Sequence, residues 1–192
     1  MPIGQTEWVR LGRLAETWRR PLLLSHIRPD GDAIGALLAM ARLCRSFGAE
    51  PILPMYDELP ARYAGLAGSD RIVRWPDAAL ALQPDSIIIL DTCSWNQLEP
   101  AAEYLKQSPL PRIIVDHHKT RDSLVGTVAA SAEYATDDTA SAASLLVHEW
   151  ARAAGWLNRA GVRAAEALFV GISSDTGWFR FSNTDARTMT AA

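Results

Sequence analysis

Aspartate and histidine recur in four short segments of this 192-residue sequence, in patterns that suit metal chemistry. The side chains concerned are His26, Asp30, Asp32, Asp91, Asp116, His117, His118 and Asp175. Any one of them alone is more commonly a helix cap, a hydrogen-bond acceptor or a packed side chain. Burying several carboxylates together, however, costs several kcal/mol for each unless cations neutralise them. We therefore expect a metal centre.

The charge of this candidate cluster indicates which ions it suits. Its aspartates other than Asp116 carry a charge of about −4, which two divalent cations would offset. Oxygen-rich ligation with imidazole suits Mn²⁺ best, with Mg²⁺, Co²⁺, Fe²⁺ and Zn²⁺ as alternatives. Cys44 and Cys93 lie far apart and form no CxxC motif, so neither a thiolate zinc site nor a disulfide framework is indicated.

Apolar patterning predicts the helices and strands that would bring these side chains together. Helical spacing predicts helices at 6–19, 33–47, 95–107, 139–154 and 160–172, the first with Thr6 as its N-cap. Apolar runs predict strands at 22–25, 51–54, 86–91, 112–116 and 125–129, and an extended segment at 177–181. The alternation predicts an α/β fold, a mostly parallel sheet with helices on both faces. Ligands bind at the carboxyl ends of such strands, where the acids and histidines fall.

Four motifs, in this order, resemble the metal-binding motifs of the DHH phosphoesterases. They are HIRPDGDAIGA, a DTC sequence after a strand, VDHHKT and GISSDTGWFRFSNT, and the resemblance extends from about Leu22 to Thr184. Within that family, PDGDAIGA and SDTGWFRFSNT are most similar to oligoribonucleases that degrade nanoRNA and also dephosphorylate 3′-phosphoadenosine 5′-phosphate (pAp). Family II pyrophosphatases usually carry PDTDS in the first motif. This chain has Gly31 and Ala33 in place of the threonine and serine of that motif, so that branch is a poorer match.

The resemblance implies which side chains hold the two ions. By matching motif positions, the expected ligands of one ion are His26, Asp30 and Asp91. The expected ligands of the other ion are Asp32, Asp91, His117 and Asp175. Asp91 is therefore expected to bridge the two ions. A pair of such cations can activate water for attack on phosphorus, so that no side-chain nucleophile is needed.

The resemblance also implies roles around the substrate. His118 is expected to contact the substrate phosphate and stabilise its charge, and Asp116 to orient a ligand histidine. Thr139 and Ser141 either belong to an N-terminal cap of the helix predicted at 139–154 or, as the resemblance favours, face the substrate. Arg180 is a further candidate for pairing with a phosphate.

The predicted function is metal-dependent hydrolysis of phosphoester bonds in short single-stranded oligonucleotides, in pAp, or in both. Alternatives with the same chemistry are a cyclic-di-AMP phosphodiesterase, a pyrophosphatase and an exopolyphosphatase. An alternative from another class is a non-catalytic nucleotide-binding module that keeps the fold without turnover. Because every ligand position of the motifs is filled, an enzyme is the preferred prediction.

Composition and charge exclude other classes of function. The chain has 19 basic and 22 acidic residues, so no bulk basic field indicates duplex DNA or an anionic membrane as a partner. Its hydrophobic content of 48% is that of an ordinary globular protein. No apolar run is long enough to span a bilayer, which favours a cytoplasmic protein. The sequence leaves open whether the chain forms a homodimer.

The sequence predicts a metal-binding domain at 1–184 and the start of a linker helix at 185–192, with Thr184 or Asp185 as its N-cap. That helix ends without a glycine or proline, as though the sequence had been cut. In the DHH phosphoesterases such a helix leads to a smaller C-terminal substrate-binding domain, whose glycine-rich motif we do not find here. We accordingly expect the chain to bind its ions but to hydrolyse substrates poorly and with little selectivity.

Overall fold

The structure, a computed structural model, describes residues 2–66, 68, 71–126 and 131–192. Its helices are α1 (Gln5–Ala15), α2 (Gly31–Ser46), α3 (Asp77–Leu80), α4 (Glu99–Gln107), α5 (Ala143–Ala153), α6 (Leu157–Ala160), α7 (Val162–Asp175) and α8 (Ala186–Ala191). Its strands are β1 (Pro21–Leu24), β2 (Leu53–Met55), β3 (Ile72–Arg74), β4 (Ser86–Leu90), β5 (Arg112–Asp116) and β6 (Ala132–Thr136).

Every strand pairing in the described ranges is parallel. The main sheet has four strands in the order β1-β4-β5-β6, and β2 and β3 form a separate pair. A bridge between Leu22 and Ile52 places that pair beside β1. Parallel strands need crossover connections, and those between β1, β4 and β5 each include helices. All the strands of the main sheet therefore end at one edge.

Alternate side chains of the sheet enter two separate apolar cores. Leu23, Ile88 and Ile113 point to the side covered by α1, α2, α5 and α7. Leu22, Ile87 and Ile114 point to the opposite side, which is covered mainly by α4. Apolar runs with no polar alternation are expected when both faces of a sheet are covered. The predicted α/β fold with helices on both faces is confirmed.

Helices α2 and α7 pack with their backbones unusually close. A Cβ atom added at Gly35 of α2 would lie 2.5 Å from the carbonyl oxygen of Ala167 and 2.8 Å from the amide nitrogen of Gly171, both on α7. The start of α2 also contacts the end of α7, because a Cβ atom at Gly31 would meet the side chain of Ser174. This close approach brings the first turn of α2 beside the last turn of α7.

Two predicted segments near the middle of the chain are corrected by the structure. The predicted helix at 139–154 begins later, at Ala143. The strand predicted at 125–129 is wrong for Val125 and Gly126, which lie outside any strand, and its other residues fall outside the described ranges. The last strand of the sheet is instead β6, whose sequence AEYAT contains a charge and lacks a continuous apolar run.

The extended segment predicted at 177–181 is wrong, because this stretch is a series of turns. Gly177, Trp178 and Phe179 have backbone φ angles of 55°, 57° and 61°, in the left-handed region. The carbonyl oxygen of Thr176 accepts hydrogen bonds from the amides of Arg180 and Phe181. These bonds fold the chain back on the end of α7. The aromatic residues of this stretch suggested an extended segment, and the sequence pattern does not reveal the turn.

At the start of the chain, α1 begins at Gln5 after Gly4, so Thr6 lies inside the helix and is not its N-cap. At the other end, Asp185 is the N-cap of α8, and its side chain accepts a hydrogen bond from the amide of Thr188. No helix in the described ranges is both long enough and apolar enough to cross a membrane.

We expect Gly35→Ala to lower the free energy of unfolding by about 1–3 kcal/mol, because the added methyl group forces α2 away from the backbone of α7. Gly65→Ala is the matched control, since a Cβ atom there would meet nothing within 4 Å. Urea unfolding of both variants measures the effect. Equal stability of the two variants would show that α2 and α7 separate without cost.

Candidate metal centre

The side chains predicted to bind metal come together at the carboxyl edge of the sheet. His26 follows β1, Asp91 follows β4, and His117 follows β5. Asp32 lies in the first turn of α2, and Asp175 is the last residue of α7. The shared direction of the strands and the close packing of α2 on α7 account for this convergence.

One group of candidate ligands consists of His26, Asp30 and Asp91, with ligand atoms within 4.8 Å of one another. The His26 Nε2 atom lies 3.4 Å from Asp91 Oδ2. Its other ring nitrogen, Nδ1, donates to the carbonyl oxygen of Ile27 at 2.8 Å. Because a carbonyl oxygen only accepts, this hydrogen bond leaves Nε2 as the nitrogen available to a metal ion.

A second group consists of Asp32, His117 and Asp175, again with ligand atoms within 4.8 Å. The His117 Nε2 atom lies 3.3 Å from Asp175 Oδ2 and 3.9 Å from Asp32 Oδ2. Its Nδ1 atom faces the carbonyl oxygen of Ala140 at 3.3 Å. The backbone thus directs this imidazole in the same way as that of His26, with Nε2 turned toward the carboxylates.

Asp91 lies between the two groups. Its Oδ2 atom faces His26, and its Oδ1 atom lies 3.4 Å from His117 Nε2. The side chain is buried, and the residue has a left-handed φ of 61°, which is uncommon for a residue other than glycine. Its amide is fixed by donation to the carbonyl oxygen of Val115 on β5. Such backbone strain is typical of functional positions that the surrounding structure holds in place.

Asp116 contacts a different histidine from the one expected. Its Oδ1 atom accepts a hydrogen bond of 2.7 Å from His118 Nδ1, whereas His117 is oriented by Ala140. The expectation that Asp116 orients a metal-ligand histidine is therefore corrected to orientation of His118. The half-exposed His118 side chain is the most accessible histidine of the cluster, and its Nδ1 lies 3.8 Å from Asp91 Oδ1.

Asp32 is held by a helix that the motifs do not include. Its carboxylate accepts hydrogen bonds from the backbone amides of Ala143 and Ser144, the first two residues of α5. A carboxylate at this end of a helix satisfies unpaired amides and is favoured by the helix dipole. Asp32 therefore caps α5 from a distance of 111 residues in sequence, and this contact was missed by sequence reasoning.

The three further residues predicted to contact the substrate differ in burial and in hydrogen bonding. Ser141 is buried, and its Oγ atom accepts from Thr188 Oγ1 at 2.8 Å, so its hydroxyl faces the protein interior, contrary to expectation. Thr139 is exposed and donates to Asp137 Oδ1 through both its amide and its hydroxyl. Arg180 is exposed, and its Nε atom donates to the carbonyl oxygen of Gly177.

Charges in the cluster shift one another's protonation. Burial raises the pKa of Asp32 well above its usual value, and the charges of Asp91 and Asp175 act in the same direction. Burial opposes the charge of His26, but its contact with Asp91 raises its pKa to about 9. Burial likewise opposes the charge of His117, but Asp175 and Asp91 raise its pKa to about 11. Without a metal ion, the cluster thus holds protons in place of cations.

The donor set fits divalent cations. Within the described ranges, Asp91 Oδ1 and His117 Nε2 are buried and lack a hydrogen-bond partner. Buried polar atoms without partners need a physical explanation, and a cation bound between these two atoms would supply one. The atoms around them are carboxylate oxygens and imidazole Nε2, which are ligands for Mn²⁺, Fe²⁺, Co²⁺ and Zn²⁺, and for Mg²⁺ through oxygen.

Comparison with protein-family models matches residues 22–172 to the DHH family, N-terminal domain. The chain belongs to this family. The match confirms the family resemblance and contains the first three of the four motifs, and DHH phosphoesterases use divalent metal ions, in agreement with the donor set.

Two curated relatives are both named bifunctional oligoribonuclease and PAP phosphatase NrnA. The one from Mycoplasma pneumoniae is 27% identical over 173 residues, which cover 88% of this chain and 49% of the relative. The one from Bacillus subtilis is 26% identical over 189 residues, which cover 96% of this chain and 54% of the relative. The chain thus spans about half the length of the curated relatives it matches.

A solved structure confirms the fold. An exopolyphosphatase-related protein from Bacteroides fragilis superposes with a TM-score of 0.86 at 22% sequence identity, covering 98% of this chain and 55% of that one.

We expect the stabilisation of the protein by Mn²⁺ to increase as the pH rises. The raised pKa values of His26 and His117 mean that, without metal, charged imidazoles stabilise the fold fully below pH 6.5. The part contributed by His26 is lost as the pH rises to about 9 and the part contributed by His117 as it rises to about 11, whereas Mn²⁺ binds better when these protons leave.

Melting temperatures of the protein with EDTA and with Mn²⁺, measured between pH 6.5 and about 9, check this expectation. The metal-free melting temperature should fall across the window, and the increase caused by Mn²⁺ should grow to several degrees. A Mn²⁺ effect that shrinks with rising pH would contradict the assignment of imidazoles as ligands.

Proposed function

We propose that this chain is the metal-binding part of a phosphoesterase that hydrolyses short single-stranded oligonucleotides and pAp with two divalent ions, Mn²⁺ foremost. One observation carries the proposal. The buried Asp91 turns one carboxylate oxygen toward His26 and the other toward His117, so that a single side chain faces two ligand groups. This arrangement suits a carboxylate that bridges two cations.

The proposed ligands of one ion are His26, Asp30 and Asp91. The proposed ligands of the other ion are Asp32, Asp91, His117 and Asp175. When bound, two such cations supply Lewis-acid activation of water and neutralisation of charge on the phosphoryl oxygens. Asp30 is also tied to the first turn of α2, because its Oδ1 atom accepts from the amides of Asp32 and Ala33.

His118 is the proposed contact with the substrate phosphate. Its Nδ1 atom donates to Asp116, so the Nε2 atom is a second donor when the ring is protonated. The hydrogen bond to Asp116 raises the pKa of His118, which favours the protonated ring. A protonated imidazole at this position would donate to a phosphoryl oxygen and stabilise the charge that grows there in the transition state. Asp116 acts by holding this ring in place.

The substrate class rests on the curated relatives, whose names state oligoribonuclease and PAP phosphatase activity. For this chain, the exposed Thr139 and Arg180 are proposed to contact the substrate, and the buried Ser141 is withdrawn from that role. A division at residue 184, a homodimer and the exclusion of duplex DNA stay predictions.

We expect the protein to release phosphate or nucleotide from pAp and a ribodinucleotide in the presence of Mn²⁺, and to lose this activity with EDTA. Cyclic-di-AMP and pyrophosphate, tested at the same concentration, should be hydrolysed no faster, since little selectivity is expected of this chain. Faster hydrolysis of either compound would assign the chain to another branch of the DHH family. Metal binding without turnover of any of the four would favour the non-catalytic module.

Two variants divide the proposed roles within the same assay. Asp91→Asn should lose bound metal and activity together, because the bridging charge is removed, whereas His118→Ala should keep its metal and lose about 10²–10³-fold in kcat. Metal content by mass spectrometry accompanies the kinetics. If His118→Ala loses metal as completely as Asp91→Asn, then His118 is a metal ligand and its proposed contact with phosphate is wrong.

A further inference from the structure

The chain beyond α7 returns to the metal centre. The left-handed turn at Gly177–Phe179 reverses its direction and brings Asn183 back to the end of α7. The Asn183 Nδ2 atom donates to the carbonyl oxygen of Asp175 at 3.1 Å and to that of Ser141 at 3.2 Å. One exposed side chain thus joins a proposed metal ligand to the segment in front of α5.

That segment, residues 137–144, is called the 137–144 loop. It comprises the connection from β6 to α5 and the first two residues of α5, and it supplies backbone contacts to two proposed ligands. The carbonyl oxygen of Ala140 faces His117 Nδ1, and the amides of Ala143 and Ser144 donate to Asp32. The positions of two ligand side chains therefore depend on where this loop lies.

Helix α8 holds the same loop through charged and polar contacts. The Arg187 Nη1 atom lies 3.0 Å from Oδ2 of Asp137, a fully buried carboxylate. The Nε and Nη2 atoms of Arg187 bind the two carboxylate oxygens of Glu149 on α5, each at 3.0 Å. Thr188, also buried, donates to Ser141 Oγ. The guanidinium therefore ties the start of the loop to the helix that follows it.

We propose that Arg187 and Asn183 are positioning residues for the metal centre, which act by holding the 137–144 loop against His117, Asp32 and Asp175. The proposal rests on the metal site of the proposed function. It adds that the affinity of this site for metal is set in part by α8, a helix that contributes no ligand.

The charges involved make Arg187 the more important of the two. Removing it breaks the ion pair with the buried Asp137, and breaking a buried ion pair by removing one partner is strongly unfavourable. The loop is then expected to shift so that Asp137 reaches water. A shift of this kind moves Ala140, Ala143 and Ser144 together, because all three lie on the same short segment. Contacts that orient metal ligands commonly contribute 10- to 100-fold in metal affinity.

The test compares Mn²⁺ affinity, by isothermal titration calorimetry, with the melting temperature of the metal-free protein. Arg187→Ala is expected to raise the dissociation constant for Mn²⁺ about tenfold. Arg187→Lys keeps the charge but lacks the planar guanidinium, so its dissociation constant for Mn²⁺ should lie between those of the parent chain and of Arg187→Ala. Arg152→Ala is the matched control, because Arg152 lines the same groove between α5 and α8 without a described contact to the loop, and it should leave the affinity unchanged.

Asn183→Ala is a milder second variant that keeps the ion pairs of Arg187 intact, and it too should weaken Mn²⁺ binding. If Arg187→Ala and Asn183→Ala lower the melting temperature but bind Mn²⁺ as tightly as the parent chain, then α8 is only structural and the proposal is overturned. If the parent chain itself binds no Mn²⁺, the proposed function fails first and this proposal fails with it.

Discussion

The crowding of negative charge at one edge of the sheet is the constraint on which the rest of this structure depends. Asp32 and Asp91 are buried there, Asp175 and Asp30 lie beside them, and the imidazoles of His26 and His117 lie among these carboxylates. Burial and mutual repulsion raise the pKa of Asp32, while His117 and His26 hold the pKa of Asp91 below its usual range despite its burial. The proposed divalent cations would take the place of the protons that the raised pKa values favour in this cluster.

Several parts of the fold serve this arrangement. Parallel strands deliver His26, Asp91 and His117 to the same edge, and the glycine contact between α2 and α7 brings Asp32 next to Asp175. The first amides of α5 stabilise the Asp32 carboxylate, and carbonyl oxygens fix which nitrogen of His26 and of His117 faces the carboxylates. The site is thus built largely by backbone groups, whose positions are set by packing at a distance. This dependence is why a helix without ligands, such as α8, is able to influence metal binding.

The sequence predicted the sheet and the cluster because both follow from local signals. Apolar runs that end in acids or histidines mark the strands and the edge to which ligands belong, and the four motifs repeat that signal. Strand β6 was missed because AEYAT has no apolar run, and the turn after α7 was missed because its left-handed residues include Trp178 and Phe179, which favour other conformations. Two contacts could not be predicted from the sequence for a different reason: the capping of α5 by Asp32 and the pairing of Asp116 with His118. Each depends on how side chains and backbone meet in three dimensions, which spacing along the chain does not encode.

The central claim is that Asp91 joins two cation sites. Crystals of the chain grown with Mn²⁺, with anomalous diffraction measured at the manganese absorption edge, test it most directly. The account predicts two anomalous peaks, the first contacted by His26, Asp30 and Asp91, and the second by Asp32, Asp91, His117 and Asp175. A single peak contacted by only one oxygen of Asp91, or peaks away from Asp91 altogether, would contradict it.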